Sequence, residues 1–390
     1  MEHGMDPLWS APPASCEVAV VGGGLIGTSI TLQLRLAGID VCLMEKRHLA
    51  CGASGRNDGQ VILETADYYP RMQQVYGREV ARGVLQFKRR GQLDLHQYLS
   101  SHTCPTLAYH RAGSLTLASS AHEEAVLREA ARAMEVDGFS SQWVDRVQLE
   151  AMIGTSAFPC GKFDPLDAVV NPAELTRFFA SQARGAGASI VEDCPVTRVE
   201  RGTVHHAYGQ TRCEIVLIAT NAYAPQLVPE LSRLIFPVRG QVQATATSEI
   251  RLSPIACITN FGYEYWHWTP DGRLVLGGKR PVDEHGETGW QEKVNPAVQA
   301  ALDEFRRHIY PQAAALPVER RWSGIMGFSA DGLPLIGPLH GDPALWVAAG
   351  FTGYGLGMCW SVAQAVAAVF RGEAGQWADW LAPLKPNRFS

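Results

Sequence analysis

The sequence predicts an α/β fold in which one domain is interrupted by a second, sheet-rich one. Three observations carry this expectation. A strand, a glycine-rich turn, a helix and a second strand follow one another within residues 17–45. A strongly alternating run fills residues 238–278. A second strand–Gly turn–helix unit recurs at residues 345–371, far from the first along the chain. At 390 residues the chain exceeds what one compact core holds, and its length suits about two domains.

The elements follow in order. Residues 17–21 (EVAVV) are β-rich and end in glycines. Residues 25–37 carry Ile26, Ile30, Leu34 and Ala37 at helical spacing. Gly38 closes that helix at C′, and residues 40–45 form a second strand, completing one βαβ unit. Residues 69–99 and 121–153 read as mainly helical, with residues 108–118 between them read as a hairpin turning near Gly113. Asn171 as N-cap and Pro172 at N1 open another helix. Short strands follow at 189–192, 196–200 and 214–219. The segments VRGQVQATAT, YEYWHWT and RLVLGG alternate as a sheet. Residues 295–310 read as a helix, and 318–326 and 345–349 as strands. A Gly-rich turn at 350–357 then enters a final helix at 356–371, or is simply a helix entry with no ligand.

Composition excludes several function classes. A net charge of -5 gives no basic field for nucleic acid and no polybasic membrane patch. Residues 1–14 lack the pattern of a signal peptide. The longest apolar candidate, 362–370, is too short to span a bilayer, so no stable membrane insertion is expected. The nine cysteines form no C-x-x-C pair and no zinc-spaced cluster. They read as reduced, mostly buried thiols in a cytoplasmic protein without a metal site.

Gly22-Gly23-Gly24-Leu25-Ile26-Gly27 fits G-x-G-x-x-G between strand and helix, the mark of a Rossmann-type dinucleotide-binding unit. Gly22 makes the tight turn, Gly24 admits a pyrophosphate to the backbone, and Gly27 lets helix and strand pack closely. The diphosphate would rest on the amides around Leu25 and Ile26 at the helix N-terminus. Glu45 ends the second strand, with Lys46 beside it, where a carboxylate can accept hydrogen bonds from ribose hydroxyls. The fingerprint alone does not separate FAD from NAD.

Three further strings stand in order: Cys51-Gly52-Ala53-Ser54-Gly55-Arg56-Asn57, then residues 331–337 (DGLPLIG), then residues 350–355 (GFTGYG). The ordered set resembles the D-amino-acid oxidase/glycine oxidase/sarcosine oxidase superfamily of flavoproteins. It looks most like the amine-oxidising branch that includes gamma-glutamylputrescine oxidase. The resemblance covers residues 8–372. It implies a glutathione-reductase-like FAD-binding domain interrupted by an α+β substrate domain with a large mixed sheet. The expected division gives 15–83, 155–235 and 325–372 to FAD, and 84–154 and 236–324 to substrate. Residues 1–14 and 373–390 are terminal extensions.

The resemblance also assigns residues. Ser54 and Arg56 would offer a hydroxyl and a cation near the pyrophosphate and flavin. Asn57, Asp58, Gly59 and Gln60 would run along the isoalloxazine. Val196 would meet the adenine side, and Thr220 would close the third nucleotide strand. Gly353, Tyr354, Gly355 and Leu356 would bring a helix N-terminus to the flavin N1–C2=O edge. Three departures qualify the pattern. Met326 stands where glycine-oxidase-like members carry a carboxylate-gripping arginine. Gly324 stands where monomeric sarcosine oxidases carry the flavin-bonding cysteine, so noncovalent FAD is expected. Val275 stands at their oxygen-activating lysine.

Tyr265 and His267 share one face of a β run and are expected to line the substrate pocket. The imidazole could take a proton from an ammonium substrate, or be a structural histidine. Arg280, Met326 and Tyr354 are further candidates. Asp58, at a position where the branch has glycine, reads as a substrate-amine anchor or, preferred, a solvated turn residue. Arg239 reads as a flavin-side cation or a structural strand-end charge, and Asp331 as a turn organiser. The expected function is FAD-dependent oxidation of a C–N bond in an amine or amino-acid-like substrate. Hydride passes to flavin N5, an imine forms, and oxygen reoxidises the flavin. The alternatives are a D-amino or imino acid dehydrogenase feeding a quinone or carrier, and an oxidative tailoring enzyme of specialised metabolism.

Overall fold

A computed structural model describes residues 11–102 and 104–389. The reading of residues 1–14 as a terminal extension therefore lies largely outside the described residues. Two eight-stranded sheets dominate the described chain. The first runs Leu335–Pro338, Leu345–Ala349, Gly209–Ile218, Ser15–Val21, Val41–Met44, Ser189–Val191. Its inner pairs are parallel, and Leu335–Pro338 joins antiparallel at one edge. Val41–Met44 is buried at every residue, the continuous apolar run of a strand covered on both faces. The strands Val196–Glu200 and Thr203–His206 extend this sheet off Gly209–Ile218.

The helix Leu25–Leu36 packs against Pro172–Gly185 and Cys359–Phe370. Asn171 caps Pro172–Gly185, its side chain accepting from the Glu174 amide. Arg78–Ser100 packs on Cys359–Phe370, placing Phe87 and Leu95 in the same core. The C-terminal stretch joins it too. Helix Gln376–Leu381 sets Trp377 and Trp380 edge-on against Phe87.

The second sheet runs Val318–Ser329, Ile235–Thr245, Leu274–Gly278, Glu264–Trp268, Ala256–Thr259, Ser114–Leu117, Cys160–Asp164, Gln142–Asp145. It is mixed, with one parallel pair, Ala256–Thr259 on Ser114–Leu117. Trp266 and Trp268 turn into its core with Leu274, Leu276 and Tyr310.

Several elements differ from the sequence reading. Residues 108–118 make no hairpin. Ser114–Leu117 instead pairs with two strands distant in sequence, and Gly113, at φ 87°, only turns the chain into it. Residues 142–145 form an edge strand rather than helix, paired with Cys160–Asp164. Cys160–Asp164 lies in the second sheet although it falls within 155–235, and Arg78–Ser100 packs in the first core although most of it falls within 84–154.

The two halves meet across buried charge. Lys162 Nζ lies 2.5 Å from Glu64 Oε1. Arg89 pairs with Asp164 and, at 3.1 Å, with Asp167. Asp167 also accepts from Ser114 Oγ at 2.7 Å and from the Leu63 amide at 3.1 Å. Each buried charge therefore has a partner, which is what makes its burial tolerable.

Candidate active site

The site begins at the first glycine turn. Gly22 adopts φ 114°, and Gly24 is the N-cap of Leu25–Leu36 with no side-chain cap bond and no acidic residue in the first turn. The positive end of that helix is thus available to an anion. The Leu25 amide donates to Ser54 Oγ at 2.7 Å, and a Cβ at Gly24 would stand 2.9 Å from that oxygen. A Cβ at Gly27 would collide with the Gly22 carbonyl. Gly27 thus serves packing and stays off the cleft wall. Glu45 accepts the Gly23 amide at 2.7 Å and the Arg47 amide at 2.9 Å, which fixes its carboxylate. The Lys46 ammonium sits over the Tyr223 ring, 4.0 Å from its centroid.

A cleft of about 760 Å³ joins this turn to a wall built by the second sheet. On the nucleotide side it is lined by Gly22, Gly24, Leu25, Ile26, Glu45, Lys46, Ser54, Val196 and Thr220. Between the sheets it passes Arg56, Asn57, Asp58 and Gln60. On the far side it is lined by Tyr265, Arg280, Gly324, Met326, Gly353, Tyr354, Gly355 and Leu356. Two observations fit a dinucleotide here: the bare backbone at Gly24, and the buried Thr220 Oγ1, which has no hydrogen-bond partner.

The intervening loop is cross-braced. Asn57 Nδ2 donates to the Ala53 and Ser54 carbonyls at 2.9 and 3.0 Å, and its Oδ1 accepts the Gly59 amide at 2.8 Å. Gly59 is buried off the cleft wall, against the Val170 carbonyl. Gln60 Nε2 donates to the carbonyls of Cys257 and Trp266 at 3.1 and 3.3 Å, tying the loop to the second sheet. The Arg56 guanidinium is spent on protein partners. It donates to the Cys51 and Ser323 carbonyls, each at 3.0 Å, and pairs with Glu292 at 2.8 Å.

On the far wall Tyr265 lies opposite Gly277, where any side chain would strike its ring. Burial raises the hydroxyl pKa of Tyr265 and of Tyr354 above the ordinary range. Arg280 pairs with Glu284 at 2.9 Å, its guanidinium 5.2 Å from the Tyr263 ring centroid and 5.3 Å from that of Phe328. His267 does not line the cleft, although it shares a strand face with Tyr265. The loop carrying Asp58 covers it, and its Nε2–H donates to the Asp58 carbonyl at 2.7 Å. Burial lowers its pKa and keeps the imidazole neutral. Its place is that of a brace behind the wall.

Asp58 is not a solvated turn residue. It lines the cleft, and its Oδ2 is buried without a hydrogen-bond partner. Desolvation pushes its carboxyl up to about 7, against the lowering effect of nearby Gln60. Arg239 is structural: buried, 3.2 Å from Glu287 and donating to the Gln291 carbonyl at 2.5 Å. Asp331 organises a turn, accepting the Leu333 amide at 3.1 Å and pairing with Arg388 at 2.7 Å. Sequence reasoning missed the apolar lining given by Ile62, Ile258, Phe261, Phe328 and Phe351. These come from separate segments, and no local pattern joins them.

Comparison with known proteins agrees with this geometry. A family model described as FAD dependent oxidoreductase (DAO) matches residues 17–369. The chain is 26% identical over 372 residues to gamma-glutamylputrescine oxidoreductase of Escherichia coli (strain K12), spanning 92% of this chain and 84% of that protein. It is 23% identical over 381 residues to glycine oxidase of Bacillus licheniformis, spanning 95% and 97%. Among solved structures, glycine oxidase from Geobacillus kaustophilus superposes with a TM-score of 0.81 at 22% identity, covering 96% of this chain and 98% of that one. L-proline dehydrogenase from P. horikoshii superposes with a TM-score of 0.83 at 21% identity, covering 97% and 98%. No helix among the described residues is long and apolar enough to cross a membrane.

Proposed function

This chain belongs to the DAO family of FAD-dependent oxidoreductases, and from that premise we propose that it oxidises a C–N bond in an amine or amino-acid-like substrate, with FAD held noncovalently. When bound, FAD supplies the two-electron acceptor that takes hydride at N5 from the carbon beside nitrogen, so that the substrate leaves as an imine.

The observation that carries this reading is the continuity of one cleft from the Gly22–Gly27 turn to Tyr265, Met326 and Tyr354. The chain's own residues divide the work. The helix N-terminus at Ile26 and the Ser54 hydroxyl, which the Leu25 amide holds in place, would hold the diphosphate and Glu45 the ribose hydroxyls. Val196, Thr220 and the 353–356 turn would flank the remainder, and Gly324 offers no thiol for a covalent link. The two tyrosines and the apolar side chains of Ile258, Phe328 and Met326 would exclude water and set the orientation of the substrate carbon. Met326 supplies no cation for an α-carboxylate, which favours amines over simple α-amino acids.

The test is direct. Purified protein is expected to be yellow, and a panel of amines should include one that bleaches the flavin anaerobically. A folded protein that never takes up flavin would end the reading.

Val275 favours a second reading of the acceptor. It stands where the resemblance puts an oxygen-activating lysine, and it does not line the cleft. Reoxidation by a quinone or carrier then replaces reoxidation by oxygen. Turnover with a dye in place of oxygen, alongside hydrogen peroxide yield, separates the two.

A further inference from the structure

Two carboxylates of the cleft differ in what they lack. Both oxygens of Glu45 accept backbone amides. Asp58 Oδ2 is buried and accepts nothing. Its backbone is held on both flanks, the carbonyl by His267 Nε2 at 2.7 Å and the next residue's amide by Asn57 Oδ1 at 2.8 Å. The carboxylate is therefore presented in a fixed place and does not wander on a loose turn. A buried carboxylate oxygen without a donor is costly, and a ligand that brings the donor removes that cost.

The cations nearest to the task are engaged elsewhere. Arg56 pairs with Glu292, and Arg280 with Glu284 between the Tyr263 and Phe328 rings. Tyr265 and Tyr354 stand in the same wall, and aromatic faces attract cations. Met326 brings no positive charge.

We infer that Asp58 anchors a positively charged nitrogen of the ligand, so that the cleft selects alkylammonium compounds without needing an α-carboxylate. This rests on the oxidoreductase reading and narrows its substrate class. The groups facing Asp58 are Gln60 on its own segment, Tyr265 and His267 from Glu264–Trp268, and Tyr354 from the late Gly-rich turn, with Arg280 beside Tyr265 in the same lining. None of these supplies a free cation. A bound ammonium beside Oδ2 would favour the ionised carboxylate and reverse the effect of burial.

The experiment titrates the FAD-loaded enzyme with n-butylamine, with its neutral N-acetyl derivative and with butyrate near pH 8, read by calorimetry and flavin absorbance. The wild type should bind n-butylammonium in preference to the other two. Asp58→Asn should weaken n-butylammonium binding by about thirtyfold or more while FAD content stays the same, the loss expected when one partner of a buried charge pair is removed. Equal n-butylammonium affinity in Asp58→Asn overturns the inference, because the amide oxygen still accepts a hydrogen bond but the side chain carries no charge. Absence of n-butylammonium binding to the wild type overturns it as well. If Asp58→Asn does not fold, Asp58→Gly answers the same question with the residue usual in the resembling branch. A preparation that refuses flavin sinks the oxidoreductase reading instead. Calorimetry on that flavin-free protein, wild type against Asp58→Asn, still decides the role of Asp58.

Discussion

At the Gly22–Gly27 turn the chain offers main-chain amides and open space. Across the cleft, at Tyr265, Arg280, Met326 and Tyr354, it offers side chains drawn from separate segments. The first wall is local: one short string contains the strand end, the turn and the helix start that together make it. The second depends on strand register, with Tyr265 set by its pairing to Gly277 and Met326 by its pairing to Val238. A wall made of backbone tolerates almost no side chain, whereas a wall made of side chains can be rewritten one residue at a time.

Gly24→Val should give the largest effect. The added side chain would fill the space beside Ser54 Oγ, and FAD affinity should drop about a hundredfold or more, equivalent to about 3 kcal/mol. Flavin absorbance after purification reads this; a fully yellow variant would break the contrast between the walls. His267→Ala comes next. It strips the Asp58 carbonyl of its donor, and stability should fall by about 1–3 kcal/mol with FAD still bound. Denaturant midpoints measure the loss. The pH profile of turnover should keep its limbs, since the imidazole is off the cleft; a lost limb would make it a proton carrier.

Met326→Arg should sharpen the same contrast from the other side. A guanidinium on the far wall should improve binding of α-amino carboxylates about tenfold through a charge-assisted pair. Competition titrations with glycine and alanine check it, and no gain would mean the wall does not face the substrate. The most gradual effect, spread over several pH units, belongs to Lys88, buried behind the late glycine turn with its ammonium 5.5 Å from the Tyr354 ring centroid. Desolvation pushes its pKa down to about 7. Between that value and the ordinary lysine range the unfolded chain binds a proton that the folded one does not. Stability should therefore rise with pH across that window, by at most about 1.4 kcal/mol per pH unit. Lys88→Met should flatten the slope, which pH-dependent melting would reveal.

The nucleotide half was legible because its signals are close together. Gly22 to Gly27, Glu45 and the Asn171-Pro172 helix start each announce themselves within a few residues. The second sheet was legible as alternation at 238–278, but its outer strands were not. Gln142–Asp145 is a mostly exposed edge strand between two helices, too short to show a period. Ser114–Leu117 finds its partners in Cys160–Asp164 and Ala256–Thr259, which no turn residue near Gly113 could have named. His267 had the right face by strand alternation, yet a loop from another part of the chain lies over it. The unmatched oxygen of Asp58 is likewise a property of its surroundings. In the sequence it was only a departure from glycine.

The two sheets are stitched through one another along the chain. Strands at 15–44 serve the first, those at 114–164 the second, those at 189–218 the first again, and so on to 349. No single cut in the gene frees either sheet with all its strands. The cofactor seat and the substrate wall are thus inherited together. Shuffling modules cannot give such a protein a new specificity, and divergence must proceed by point changes on the side-chain wall while the glycine turn stays fixed.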